Sequence, residues 1–153
     1  MKRALTIAII TIAGVIFAGE CVVILPFSVV NANPQWEDSL RVAFSKQLQG
    51  YGYEIFETDS FCYDIPCAGE IARRLHTSLA LFGTVAGFGD QVVITSYLVR
   101  SDDEIEGKSR VSVKDLTELS SAVESVIKDF FPEKFSLPDS ANVPGDSARV
   151  SPE

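Results

Sequence analysis

The chain has 153 residues, 46% of them hydrophobic and 22% charged, with a net charge of −8. Such a length and apolar content suit one globular domain with chain to spare. The acidity excludes a non-specific nucleic-acid binder, which needs a basic stripe, and sets the folded part against anionic membrane surfaces.

The chain opens on Lys2 and Arg3, followed by an apolar run from Ala4 to Ala18 that is softened only by Thr6, Thr11 and Gly14 and ended by Glu20. That is the layout of a secretory signal. A spanning helix needs about 20 apolar residues, so an uncleaved membrane anchor stays open as the alternative for residues 1–20. Cutting after Ala18 is tolerable. Cutting after Ala32 is better locally but would delete the strand that follows. Cys21 raises lipidation as a third route. A lipobox wants a small residue before the cysteine, where this chain has Glu20, and the simpler reading is a small hydrophobe opening a strand.

Cys21 to Phe27 is an apolar run rich in β-branched residues and without alternation, as in a strand covered on both faces, and Pro26 should end its ladder. Trp36, Leu40, Ala43, Phe44 and Leu48 fall at helical spacing between Pro34 and Gly50. Tyr51 to Thr58 reads as a second strand, Asp59 to Pro66 as a loop, and Ala68 to His76 as a second helix. Leu79 to Ala86 and Gln91 to Arg100 form a hairpin about Gly87–Asp90. Ser101 to Glu106 is an acidic turn, and Gly107 to Lys114 is a more polar third hairpin strand. Leu116, Leu119, Val123, Val126, Ile127 and Phe130 make a helical stripe, which Pro132 ends. Residues 132–153 hold Pro138, Pro144, Gly145 and Pro152 with little to bury, and read as a disordered tail.

The order is β-α-β-α-β-β-β-α over residues 21–131. Helical crossovers make the first three strands parallel, and hairpins make the last three antiparallel. The expected fold is α/β, a mixed five-stranded sheet with helices packed on its faces.

Val22-Val-Ile-Leu-Pro-Phe27, the stretch from Cys62-Tyr-Asp-Ile-Pro-Cys67 to Leu75, and Leu81-Phe-Gly-Thr-Val85 with Tyr97-Leu-Val99 on the returning arm resemble one group of bacterial envelope proteins. It comprises the curli secretion lipoprotein CsgG, the penicillin-binding-protein activator LpoB and the amino-terminal domain of TolB. The resemblance spans about residues 21–131. It implies a periplasmic or outer-membrane-associated part that binds other envelope components and catalyses nothing. The chain lacks a good lipobox and the long inserted hairpins of a CsgG pore, so it implies no secretion channel.

Cys62 and Cys67 flank a short loop, and in an exported chain that arrangement reads as a disulfide. Free thiols are the alternative. A zinc site would need more ligands than two cysteines, and no Cys/His pair stands at ligand spacing elsewhere. His76 is the sole histidine and reads as a helix-end cation rather than a catalytic base. Gly83, Gly87 and Gly89 sit in a hairpin, not between a strand and a helix as a phosphate loop requires. Asp102, Asp103, Glu104 and Glu106 lack calcium-loop order and read as a solvated turn.

Arg73 and Arg74, the one adjacent basic pair in the expected domain, are candidate partner contacts, together with Phe61 and Tyr63. Tyr51 and Tyr53 are grouped with them around the cysteine loop. The expectation is a non-enzymatic envelope binding or assembly module, without metal or cofactor. Its partner would be an envelope protein or the cell wall, not nucleic acid, with membrane attachment through the N-terminus and the oligomeric state left open. The alternatives are a structural protein anchored in the inner membrane and a small periplasmic hydrolase using carboxylates such as Asp64 or Glu70.

Overall fold

The computed structural model describes residues 20–132. The expected export segment and tail lie outside that range, apart from Glu20 and Pro132.

Six strands and three α-helices follow in chain order. They are β1 (Cys21–Ile24), β2 (Ser28–Val30), α1 (Gln35–Gly50), β3 (Glu54–Glu57), α2 (Ile65–Arg74), β4 (Leu79–Phe88), β5 (Gln91–Arg100), β6 (Ile105–Val113) and α3 (Leu119–Phe130). The main sheet runs β3-β1-β4-β5-β6. As expected, β1 pairs in parallel with β3 and β4, while β4–β5 and β5–β6 are antiparallel. Beyond the five expected strands, β2 is a short sixth. Pro26 offers no amide hydrogen and breaks the first ladder, but β4 is long enough to take up pairing again with Ser28–Val30.

Helix starts explain where the boundaries shifted. The Asp64 side chain accepts the Cys67 amide at 2.9 Å, so α2 begins at Ile65, three residues earlier than its apolar spacing suggests. It ends at Arg74, and His76 turns the chain away at φ 55°, so the histidine lies outside the helix it was expected to end. Asp115 caps the 3₁₀ turn Leu116–Glu118 that leads into α3, accepting the Thr117 amide and hydroxyl. Those hydrogen bonds, from the hydroxyl first, hold its carboxyl below the usual range. In α1, Arg41 Nε lies 2.7 Å from Glu37 Oε1, a charge contact without hydrogen-bond alignment. Burial raises the Glu37 carboxyl against the opposing pull of Arg41.

The strand pleat divides the apolar residues between two cores. On one face α1 and α3 cover Val22, Ile24, Phe27, Leu81, Val85, Ile94 and Leu98. Phe27 stacks on Phe44 at 5.7 Å, and Tyr53 on Phe131 at 5.1 Å. A Cβ on Gly107 would meet the Phe130 ring, so glycine there lets α3 settle onto β6. On the other face α2 alone covers Val23, Leu25, Ala80, Phe82 and Val99. Ten helical residues span about 15 Å. The strands β4 and β5, also ten residues each, extend about 33 Å. One short helix therefore leaves half of this sheet face bare.

Candidate functional site

The candidate site is the bare half-face. Because its residues alternate with those of the covered face, Thr84 on β4, Thr95 and Tyr97 on β5, and Lys108 and Arg110 on β6 all lie on the α2 side. Ser28 on β2 joins them opposite Thr84. Tyr97 stacks on Phe82 at 5.3 Å, and Lys108 Nζ sits 5.4 Å from the Tyr97 ring centre. An aromatic and a cation are thus held against the sheet before any partner arrives.

One wall comes from the cysteine loop. Cys62 and Cys67 form a disulfide with their Cα atoms 5.6 Å apart. Cys62 is buried beneath α2, while its neighbours Phe61 and Tyr63 point outward, 54% and 79% exposed. The bridge and the Asp64 cap together fix this loop to the first turn of α2. Between Tyr63 and the β6 stripe lies a cleft of about 390 Å³, floored by Ser28, Thr84 and Thr95. Further along the bare face stand Val30 and Phe88, 49% and 61% exposed.

The charge is distinctive. Among the described residues, Arg41, Arg73, Arg100 and Lys128 lie in ion pairs with neighbouring carboxylates. Lys46, Arg74, Lys108, Arg110 and Lys114 lie in none, and of these Lys108 and Arg110 stand two residues apart on one strand of the open face. In a chain of net charge −8, two neighbouring cations without an ion pair make a local patch of positive potential on the open sheet face.

The sequence-derived candidates separate. Tyr63 lines the cleft and Phe61 is exposed on the same loop, whereas Tyr53 is buried in the α1–α3 core and Tyr51 lies at the end of α1, so the four aromatics do not form one patch. Arg73 is committed within the fold. It donates to the Ser101 carbonyl, to Glu70 at 3.0 Å and to Asp103 at 3.0 Å, and these carboxylates, Glu70 first, hold it further toward its charged form. Asp102 pairs with Arg100 at 3.1 Å, so the acidic turn serves partly to lock the α2 end of the sheet. Arg74 is exposed on the outer side of α2. Cys21 is half-buried, its thiol 3.6 Å from Glu54, and is raised above its usual value by burial first and the carboxylate second. Lys108, Arg110 and Tyr97 were not singled out from the sequence. The signal was present: alternation along residues 107–113 puts Lys108, Arg110 and Ser112 on one side, and a run of charge on one side of a hairpin strand marks an uncovered face.

A second hollow of about 670 Å³ lies at the opposite end of the sheet, among Glu20, Ser78, Arg100, Glu106 and Phe130, where the described chain begins and ends. No group of three or more His, Cys, Asp or Glu side chains converges as a metal site among the described residues, and no helix there is long and apolar enough to cross a membrane.

The molecule is thus a mixed α/β domain with one fully covered and one half-open sheet face. The same fold occurs in the PelC dodecamer of Paraburkholderia phytofirmans, at 18% identity over 74% of this chain and 86% of that one, with a TM-score of 0.53. It occurs in lipoprotein GNA1162 of Neisseria meningitidis, at 15% identity over 71% and 96%, TM-score 0.53. It occurs again within TolB of Acinetobacter baumannii, at 12% identity over 79% of this chain and 29% of TolB, TM-score 0.55. At these identities the likeness is one of fold, and it is shared with the TolB domain that the sequence resembles. No family model matches the sequence, and no curated protein matches it.

Proposed function

We propose that the chain is a non-enzymatic envelope module that binds another envelope component through its half-open sheet face. The observation that carries the reading is the uncompensated Lys108–Arg110 stripe facing a disulfide-held aromatic loop across a bare sheet. Rigid, pre-placed aromatics and cations are what a protein interface uses as anchors, and they bind at low ordering cost. The export segment and the fold shared with TolB and with a lipoprotein support an envelope setting. The hydrolase alternative is weakened because its two named carboxylates have structural roles: Asp64 caps α2, and Glu70 pairs with Arg73.

Photo-crosslinking from position 63 in living cells tests this. We expect one dominant adduct with an envelope component, lost when Lys108 and Arg110 are reversed to glutamate. An adduct pattern unchanged by that reversal would overturn the assignment of the site.

A further inference from the structure

We propose that the β6 edge of this face pairs with a second copy of the same chain, docked edge to edge so that β6 of one copy lies beside β3 of the next. The proposal rests on the reading above in taking the β6 stripe as a contact surface, and adds an acidic counterpart on the opposite edge.

Both edges are open. The sheet order ends at β3 on one side and β6 on the other, and each is paired along one edge only. An edge strand is a template for further pairing, and its charges decide what it pairs with. β6 presents Lys108 and Arg110 on the α2 side, and Lys114 follows it. None of the three lies in an ion pair among the described residues. β3 presents exposed Glu54, Phe56 and Glu57. Glu54 and Phe56 pair with Cys21 and Val23 and therefore lie on that same α2 side.

Strand direction agrees. β3 is parallel to β1 and so to β4. β6 is antiparallel to β5, which is antiparallel to β4, so β3 and β6 run the same way. A copy displaced sideways in the plane of the sheet thus sets β6 parallel to β3, with the basic row of one against Glu54 and Phe56 of the other. The symmetric alternatives fail on charge. Pairing β6 with β6 brings together the Lys108 and Arg110 rows of both copies, and pairing β3 with β3 brings together Glu54 and Glu57 of both copies with no cation to oppose them. Like charges directly across strands are destabilising. The contact is therefore heterologous, and such contacts repeat, closing into a ring or running on as a filament. Four residues of β3 give only about 13 Å of ladder, so assembly should depend on concentration.

A zero-length carbodiimide crosslink, which joins an amine directly to a carboxylate, reads this contact in the full-length protein in its native envelope. Within one copy the two edges lie four strand spacings apart, about 19 Å, so a bond from Lys108 or Lys114 to Glu54 or Glu57 must join two copies. We expect a ladder of such adducts from the unaltered chain. Lys108→Glu with Arg110→Glu should reduce it about tenfold or more, and Glu54→Lys with Glu57→Lys likewise, each variant keeping the melting temperature of the parent. Co-expressing the two variants should restore the ladder, because each altered edge then meets its complement.

No ladder from the unaltered chain, a ladder indifferent to either reversal, or no restoration on co-expression would overturn the proposal. Its failure is separable from that of the functional reading. If the ladder is absent while the position-63 adduct with another component persists, the binding face stands and self-association falls. If the ladder and its restoration appear without any other adduct, self-association stands alone.

Discussion

The two faces of the sheet are built from the same strands and do opposite work. The face under α1 and α3 is sealed by 28 helical residues, 16 and 12, and holds the larger core. The face under α2 has ten, and its apolar cover stops at Phe82 and Tyr97. Alternation along β4 to β6 lets one strand carry both: Ile94 and Leu98 inward to the sealed side, Thr95 and Tyr97 outward to the open side. Residues of the open face can therefore be changed without touching the larger core, which is the practical meaning of a half-covered sheet.

The comparison is broken most severely from the sealed side. Phe44→Ala removes a fully buried ring stacked on Phe27 and should cost about 3–5 kcal/mol in chemical denaturation, with the open face intact as long as the domain stays folded. Replacing both Cys62 and Cys67 by serine should cost about 2 kcal/mol by the loop-entropy argument. It should also free Tyr63, so binding weakens along with stability. If stability drops and binding does not, the loop is not part of the site.

Smaller changes sharpen the contrast. Ser96 is wholly buried on the sealed side of β5, and its hydroxyl has no hydrogen-bond partner among the described residues. Ser96→Ala should therefore be neutral or stabilise by about 1 kcal/mol, read as an unchanged or raised denaturation midpoint. Reversal of Lys108 and Arg110 to glutamate should shift stability by no more than about 1 kcal/mol, because neither lies in an ion pair among the described residues and only the exposed Lys108–Tyr97 contact is lost. A large loss of stability there would show the stripe to be structural.

Much of the fold was legible in local pattern. The unbroken run from Cys21 to Leu25 announced a strand covered on both faces, and the stripe from Leu119 to Phe130 announced one buried helix face. Parallel pairing of the first strands followed from the helical crossovers between them. Strand β2 was not legible, because three residues after a proline carry no periodicity and form a strand only where β4 overhangs them. The start of α2 was missed because a polar Asp64 side chain sets it, not an apolar spacing.

For the site, the residues were visible and their grouping was not. Cys62 and Cys67 were expected to pair on their spacing in a chain read as exported, with free thiols as the alternative, and the structure holds them as a disulfide. Arg73 and Arg74 looked alike in the sequence. Only the fold brought Glu70, Asp103 and the Ser101 carbonyl to Arg73 and left Arg74 outside. Likewise Tyr53 and Tyr63, ten residues apart, parted to opposite faces. The sequence by itself determined the types and order of the longer elements, because these depend on neighbours within a few residues. The tertiary structure decided which face stayed bare and which cations stayed unpaired, because both depend on how far one ten-residue helix reaches across strands twice its length.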